Sequence, residues 1–469
     1  MLHRTTLFAA LALTAQGLAF AQTPPIAFEE VSGRIPFLSQ SLQSGGTGVV
    51  GAVWFDYDRD GRIDLFLPNG KGRSNALYHN NGDGAFTNRA AQAGLAASFG
   101  AGGGIAADFD NDGDQELLVT SDGNFLNPPG ETRLGLYRNT GDGTFTDVAA
   151  EAGLTDRGFL MGLAFGDTDN DGDIDIFVSN AGAAPPLGLP PYIYPHPFFR
   201  NNGDGTYTNL SLALGLDQYG WGWGSAMRDF DNDGHLDLFF TGALPSPFDP
   251  TAYLGINGEA NHGVLWANNQ NGTWNDISAT MAHDFRHDFS SGVAAGDFDG
   301  DGFEDLAVMV TSLPPLSASG QPVLLRNLGG SNGSLQIRTI GTVSNRDGVG
   351  ARVTVRADDL TELQEVYAGS SLASMHSQTL TFGLGDHPQG TIDVHWPSGY
   401  RNRIYDIRAG EKIEFPEIPC SFDDPSLSPS GYTQCVVDSL DNLRETGIVE
   451  VSQMGRFLAS ALRAYQEAH

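Results

Sequence analysis

Apolar residues in this chain fall into short runs, many of them alternating with polar residues, and stretches of Asp, Asn and Gly separate the runs. Period-two runs bounded by such turn formers predict β-strands. One segment of this kind recurs five times. It reads GAVWFDYDRDGRIDLFL from Gly51, GIAADFDNDGDQELLV from Gly104, GLAFGDTDNDGDIDIFV from Gly162, GSAMRDFDNDGHLDLFF from Gly224 and GVAAGDFDGDGFEDLAV from Gly292. The first loop acids are Asp56, Asp108, Asp167, Asp229 and Asp297, spaced 52, 59, 62 and 68 residues apart. A second half follows each copy, as in LYHNNGDGAFTNRAAQAGL from Leu77, LYRNTGDGTFTDVAAEAGL from Leu136 and FFRNNGDGTYTNLSLALGL from Phe198, with a weaker version, LWANNQNGTWNDISATM, from Leu265. The Asn-Gly and Asp-Gly pairs are the residues of two-residue hairpin turns. Each repeat therefore predicts four short strands, and four strands at a period near 60 are a propeller blade. The segment IAFEEVSG from Ile26 resembles the last strand of a blade, such as TFTDVAAE from Thr144, and would close the ring by removing an open sheet edge.

Beyond about residue 330 the Asp loops stop while strand-like runs continue, at ARVTVRA from Ala351, LQEVYAG from Leu363, TLTFGLG from Thr379, IDVHWPSG from Ile392 and RIYDIRAGEKIEF from Arg403. They read either as metal-free closing blades or as a separate β domain. A Pro/Ser-rich loop follows Cys420, and the stretch from Val451 to His469 has the three- and four-residue apolar spacing of a helix. The expected organisation is a segment 1–21 for export, blades over 22–330, a β region over 331–415 and a disulfide-containing helical tail over 416–469. The fold class is all-β, a β-propeller with a short helical C-terminal tail.

The recurring loop spells D-x-D-x-D-G-x-x-D, with acids at positions one, three, five and nine. These are Asp56, Asp58, Asp60 and Asp64; Asp108, Asp110, Asp112 and Glu116; Asp167, Asp169, Asp171 and Asp175; Asp229, Asp231, Asp233 and Asp237; and Asp297, Asp299, Asp301 and Asp305. Position seven, held by Arg62, Asp114, Asp173, His235 and Phe303, would supply a backbone carbonyl. This many hard oxygen donors suits Ca²⁺ better than Mg²⁺, which demands stricter octahedral geometry, or Zn²⁺, which recruits His or Cys. An EF-hand needs Glu at position twelve and flanking helices. Here that position is Leu67, Val119, Val178, Phe240 or Val308, and the flanks alternate like strands. Asx turns alone could explain one copy; five copies, each packing four mutually repelling carboxylates, call for a cation. The expectation is about five bound Ca²⁺.

Composition changes the picture in three ways. The 61 glycines fit a turn-rich all-β chain. The net charge of −32 argues against nucleic acid or an anionic membrane as partner. The opening MLHRTTLFAALALTAQGLAFAQ has a basic start, an apolar core and Ala19-Phe20-Ala21, the pattern of a secretory signal cleaved before Gln22. No other segment nears the roughly 20 apolar residues of a membrane span. In an exported chain the two cysteines, Cys420 and Cys435, are expected to pair, closing a loop worth about 3 kcal/mol.

The repeat, a small-residue strand leading into D-x-D-x-D-G-x-x-D, resembles the FG-GAP or VCBS-like repeats of integrin-α-type propellers. The stretch SNRDGVGARVTV from Ser344, with GSSL at Gly369, TFGLG at Thr381 and VHWPSG at Val394, resembles the ASPIC/UnbV domain. Repeats followed by that domain are the layout of the cartilage acidic protein family, and the resemblance covers residues 28–415. It implies a seven-bladed, integrin-α-like propeller with Ca²⁺ in its loops, in a family of extracellular matrix and bacterial exported proteins. The two-cysteine tail departs from a calcium-binding EGF-like module, which carries more cysteines.

Three functions fit. The first is a module presenting loops to a protein or glycan ligand. The second is a lyase- or cyclase-type enzyme with a pocket at the propeller axis, where loops leading into the first strands carry Asp156, Arg157, Tyr219, Trp221, Trp223, His283, Arg286, His287 and Asp288. In that reading His283 and His287, four apart among acids, are a general-base pair or a metal site. The third is an adhesive surface built on the aromatic rim near Pro190 to Phe199 and Trp221 to Gly224.

Overall fold

A computed structural model of the chain describes residues 51–69, 74–96, 101–121, 133–156, 158, 160–180, 195–216, 221–242, 262–288, 290–310, 320–372 and 374–469. The export segment, the Ile26 strand, Arg157, Tyr219 and residues 190–194 of the aromatic rim lie outside them.

Five antiparallel sheets follow one another, each with its strands in chain order. Blade one is Val53–Phe55, Asp64–Leu67, Ala76–Asn80 and Phe86–Asn88, and blade two is Ala101–Ala107, Glu116–Ser121, Gly135–Asn139 and Phe145–Asp147. Blade three is Leu163–Gly166, Asp175–Val178, Phe198–Asn201 and Tyr207–Asn209, and blade four is Ser225–Arg228, Asp237–Phe240, Val264–Asn268 and Trp274–Asp276. Blade five has Ser290–Gly296, Asp305–Val310 and Val323–Leu325. The two further blades of a ring of seven have no counterpart among the described residues.

The second strands DLFL, DIFV and DLFF are buried on both faces, because each blade is sandwiched between its neighbours. One apolar cluster fills each gap. Phe55, Phe66, Leu117 and Tyr137 join blades one and two, Ile105, Leu118, Phe165 and Ile176 join two and three, Phe177, Leu238 and Phe240 join three and four, and Phe239, Val293 and Val308 join four and five. The first strands use small residues because they crowd together; a Cβ on Gly224 would strike the Val293 backbone and side chain.

The hairpins between third and fourth strands are longer than the two-residue turns expected. Asn80 pairs with Phe86, and Asn81 N–H donates to Ala85 O at 3.0 Å, which leaves five loop residues. Two glycines, Gly82 and Gly84, take positive φ, and the side chains of Asn80 and Asp83 accept from the N–H groups of Gly82 and Ala85. These Asx contacts stabilise the wider loop.

Residues after 330 do not form further blades. Gly333–Ile340 pairs with Leu380–Gly385 and, in parallel, with Lys412–Pro416. A second sheet orders Leu360–Glu365, Arg352–Ala357, Gln389–His395 and Arg401–Arg408. Both share a core with two C-terminal helices, α1 (Pro429–Glu445) and α2 (Val451–Ala468). Helix α1 went unread in the sequence although its signals are present: Ser428 caps it, Pro429 opens it, and Tyr432, Val436, Leu440 and Leu443 are its buried stripe. The Cys420–Cys435 disulfide, with Cα atoms 6.2 Å apart, ties α1 to the end of the strand region.

This C-terminal unit reaches into the propeller. Ser371 N–H donates to Leu163 O at 2.7 Å, Ser225 N–H donates to Ser371 Oγ at 3.0 Å, Ser374 Oγ donates to Val293 O at 2.7 Å, and Ser377 N–H donates to Ala295 O at 2.8 Å. Ser371, Ser374 and Ser377 thus bond to backbone groups of the first strands of blades three, four and five.

Candidate metal centres

Each Asp loop joins the first strand of its blade to the second. Its position-one acid follows the first strand, and its position-nine acid, Asp64, Glu116, Asp175, Asp237 or Asp305, is the first residue of the second. Two left-handed residues make the turn. Position four is Arg59, Asn111, Asn170, Asn232 or Gly300, with φ between 55° and 79°, and the position-six glycines have φ between 80° and 96°.

Backbone N–H groups fix the carboxylates. In loops one, three, four and five the position-one acid accepts from the N–H groups of positions five and six at 2.8–3.1 Å. The position-five acids accept from the N–H of position seven at 2.8–3.0 Å. This brings acid oxygens together within 4.8 Å in Asp56, Asp58 and Asp64, in Asp108, Asp110 and Glu116, in Asp167, Asp169 and Asp171, and in Asp229, Asp231 and Asp237. In the first two of these groups Asp58 Oδ1, Asp108 Oδ1 and Asp110 Oδ1 are buried with no hydrogen-bond partner. Orphaned acceptors facing one another inside a turn are what a cation would satisfy, so the residues fit a hard, oxygen-seeking ion.

The electrostatics agree. Burial, reinforced by neighbouring carboxylates and opposed by the N–H donors, pushes Asp56 up to about 6, Asp64 and Asp167 to about 7, Asp175 to about 8 and Glu116 to about 9. Burial also drives Asp229 and Asp237 well above the usual carboxylate range. Loop five behaves differently. Burial raises Asp297, but the Gly302 N–H, the Gln336 amide and Lys412 outweigh it and leave it below its ordinary value. Lys412 Nζ stands 3.5 Å from Asp297, and Arg326 pairs with both Asp299 and Asp301. At position seven the side chains face outward partners: Arg62 pairs with Asp60, Asp114 with Arg59, Asp173 with Asn111 and His235 with Asn170, while Phe303 is buried.

Sequence reasoning missed a second set of residues at each centre. An asparagine at or just past the end of the third strand binds the position-nine acid of its own blade and, in blades two to five, also clasps the preceding blade. Asn80, Asn139, Asn201, Asn268 and Asn327 donate their N–H to the position-nine acid at 2.7–3.4 Å. The side-chain amides of the last four donate to the position-two carbonyl of the preceding blade, Tyr57, Phe109, Thr168 or Phe230, at 2.7–3.0 Å. Its recurrence before every hairpin was the available signal. Asn201→Ala leaves the Phe109 and Ile174 carbonyls buried without that donor and is expected to cost about 1–3 kcal/mol, read as a lower urea midpoint at unchanged slope.

The C-terminal unit sits on the same loops. Arg352 donates to the Asp108 carbonyl and carboxylate at 3.2 and 3.1 Å and to Gly172 O at 3.0 Å. Glu365 accepts from Asp108 N–H at 3.3 Å, and Gly385 N–H donates to Asn232 O at 2.9 Å. Glu362 accepts from Gly383 N–H at 3.1 Å, and Gly383 itself lies against Asp229 with no space for a Cβ. Burial holds Glu362 and Glu365 at about 8.

The catalytic candidates are not gathered into one site. His283 Nε2 lies 2.6 Å from Asp288 Oδ2 at a half-exposed 3₁₀ turn, Phe285–His287, after blade four. Arg286 pairs instead with Asp284, and the His287 side chain lies outside the described residues. Asp156 accepts from Asn209 at 2.7 Å, while Trp221 is fully buried and stacked on Trp223.

Comparison with known sequences matches this layout. The FG-GAP-like repeat family matches residues 56–119, 108–178, 197–240 and 252–308, and the ASPIC and UnbV family matches 341–420. Cartilage acidic protein 1 of Homo sapiens is 32% identical over 305 residues, covering 64% of this chain and 42% of its own length. The chain belongs to the cartilage acidic protein-like family. The Mus musculus protein is 30% identical over 269 residues, covering 56% of this chain and 38% of its own, so the chain spans roughly two-fifths of these relatives. Among solved structures, an Agrocybe aegerita lectin that recognises non-reducing terminal N-acetylglucosamine aligns with 62% of this chain and 72% of its own at 15% identity and a TM-score of 0.34, too weak a likeness to carry an argument. In family terms, FG-GAP blades carry the Asp loops, and the ASPIC/UnbV unit packs on those loops and on the first strands of blades three to five.

Proposed function

We propose that this chain is an exported, calcium-stapled propeller that presents its surface to a protein or glycan ligand. The observation that carries the interaction reading is the layout shared with the cartilage acidic protein relatives, FG-GAP-like repeats followed by an ASPIC and UnbV domain. Calcium is supported by the convergent, partly orphaned carboxylates of the Asp loops. In each site the acids of positions one, three, five and nine would hold the ion, with position seven adding a carbonyl. The ion would lock the turn and thereby the spacing of adjacent blades. Export is supported by the disulfide and the opening signal pattern. Among the described residues no helix is long and apolar enough to cross a membrane.

The test is metal content of the purified full chain after dialysis against calcium, followed by glycan-array and protein-binding assays with and without chelator. Four or five calcium ions per chain and a ligand lost on chelation are expected. A chain that holds no calcium, or that turns over a small substrate, would overturn this reading.

A further inference from the structure

The five loops differ in one neighbouring side chain. The residue just before the clasp asparagine on the third strand lies beside the loop acids. It is Arg138, Arg200 and Arg326 in blades two, three and five and Ala267 in blade four, but blade one carries His79. An arginine there can only act as a fixed cation, since guanidinium has no free lone pair to offer a metal. An imidazole has one, which changes what the loop can bind.

The position of His79 is that of a ligand. Its Nδ1 lies 3.3 Å from Asp58 Oδ2 and its Nε2 3.8 Å from Asp60 Oδ2, and one donor atom from each of Asp58, Asp60 and His79 falls within a 4.8 Å group. Asp64 stands close behind, 3.4 Å from Nδ1, with both of its oxygens already accepting backbone N–H groups. Nδ1 is buried, yet it is hydrogen-bonded to none of these carboxylates, and Asp58 Oδ1 is likewise buried and unpartnered. Nδ1 is the nitrogen that an ion shared with Asp58 would use, and Asp60 Oδ2 also pairs with Arg62, which such an ion would have to displace. Two ligands at 2.0–2.1 Å from a tetrahedral ion sit about 3.4 Å apart, close to the spacing seen here. Tyr57 meets the imidazole edge-on at 6.0 Å and limits its movement.

Resting on the metal-binding reading of the loops, we propose that loop one is a mixed imidazole–carboxylate site for a divalent transition ion of the Zn²⁺ class, with His79, Asp58 and Asp60 as ligands. The other four loops have no imidazole at this position and remain all-oxygen sites. Calcium gains little from a nitrogen donor, whereas first-row divalent ions bind imidazole strongly. The first blade then selects a different ion from its neighbours out of the same D-x-D-x-D-G-x-x-D framework.

The experiment uses the full chain, stripped of metal, reloaded with excess Ca²⁺ and titrated with Co²⁺ as a spectroscopic probe. One equivalent of Co²⁺ should bind in the presence of Ca²⁺, give visible ligand-field absorption and be displaced by Zn²⁺. His79→Arg, which installs the residue that three other blades tolerate, should lose that one equivalent and leave calcium uptake by the remaining loops unchanged. Asp58→Asn should lose it as well. Wild-type protein that takes up calcium but no Co²⁺, or a His79→Arg variant that retains the Co²⁺ bands, overturns this assignment alone. A chain that binds neither ion overturns the metal-binding reading of every loop together with it.

Discussion

Chelation is expected to lower the melting temperature of the full chain by more than 10 °C, the largest effect of any single perturbation. An ion present at a hundred times its dissociation constant stabilises the fold by about 2.7 kcal/mol. Four or five such sites sum to about 11–14 kcal/mol, similar to the whole stability of an ordinary domain at about 5–15 kcal/mol. Chelated protein should also respond to pH in a defined direction. Asp167, Asp175 and Glu116, whose ordinary values are 3.8, 3.8 and 4.5, are raised to about 7, 8 and 9 in the metal-free fold. Within that window the folded chain holds protons that the unfolded chain has released, so their contribution is complete near pH 4 and is lost as pH rises toward 9. Each group contributes a slope of about 1.4 kcal/mol per pH unit between its two values. Urea melts of the chelated chain should therefore show falling stability from pH 5 to 8, and calcium should flatten that fall. A melting temperature indifferent to chelator would reduce the Asp loops to turns.

Arg352→Met is expected to cost about 3–5 kcal/mol. The guanidinium is nearly buried between the ASPIC/UnbV unit and loops two and three, where it compensates Asp108. Glu365 is fully buried beside it; burial raises this acid, and Arg352 is the strongest influence holding it down. Removing one partner of a buried charged set leaves the other uncompensated, which is the origin of that cost. Denaturation followed separately by tryptophan fluorescence and by far-ultraviolet circular dichroism measures this. Equal stability of wild type and Arg352→Met would mean that the contact does not hold the two units together.

The Asp loops, the strands around them and the blade period were legible because each is local. A turn needs Asp, Asn and Gly at fixed offsets, and a buried strand needs a short apolar run, so a repeat copied five times displays its own rules. Pairing of Cys420 with Cys435 was legible for the same reason, as the two lie 15 residues apart. Helix α1 was also written locally, in Ser428, Pro429 and the stripe from Tyr432 to Leu443, but the Pro/Ser-rich opening masked it.

The rest depends on residues far apart in sequence. Whether the runs after 330 closed the ring or stood apart is a matter of which core they share, and only the packing of Phe382, Trp396 and Phe415 against Phe457 and Tyr465 decides it. The docking of the C-terminal unit on the first strands follows from serines at 371 and 374, residues without a distinctive pattern, meeting backbone groups of Leu163, Ser225 and Val293. The clasp asparagines looked like turn residues because their second partner lies in the preceding blade, 82 to 100 residues away. The sequence by itself determined the repeating carboxylate loops and the strands that carry them, since both obey short-range backbone geometry. The tertiary structure alone decided which surfaces those loops meet, because charge compensation by Arg352 exists only once distant segments are brought into contact.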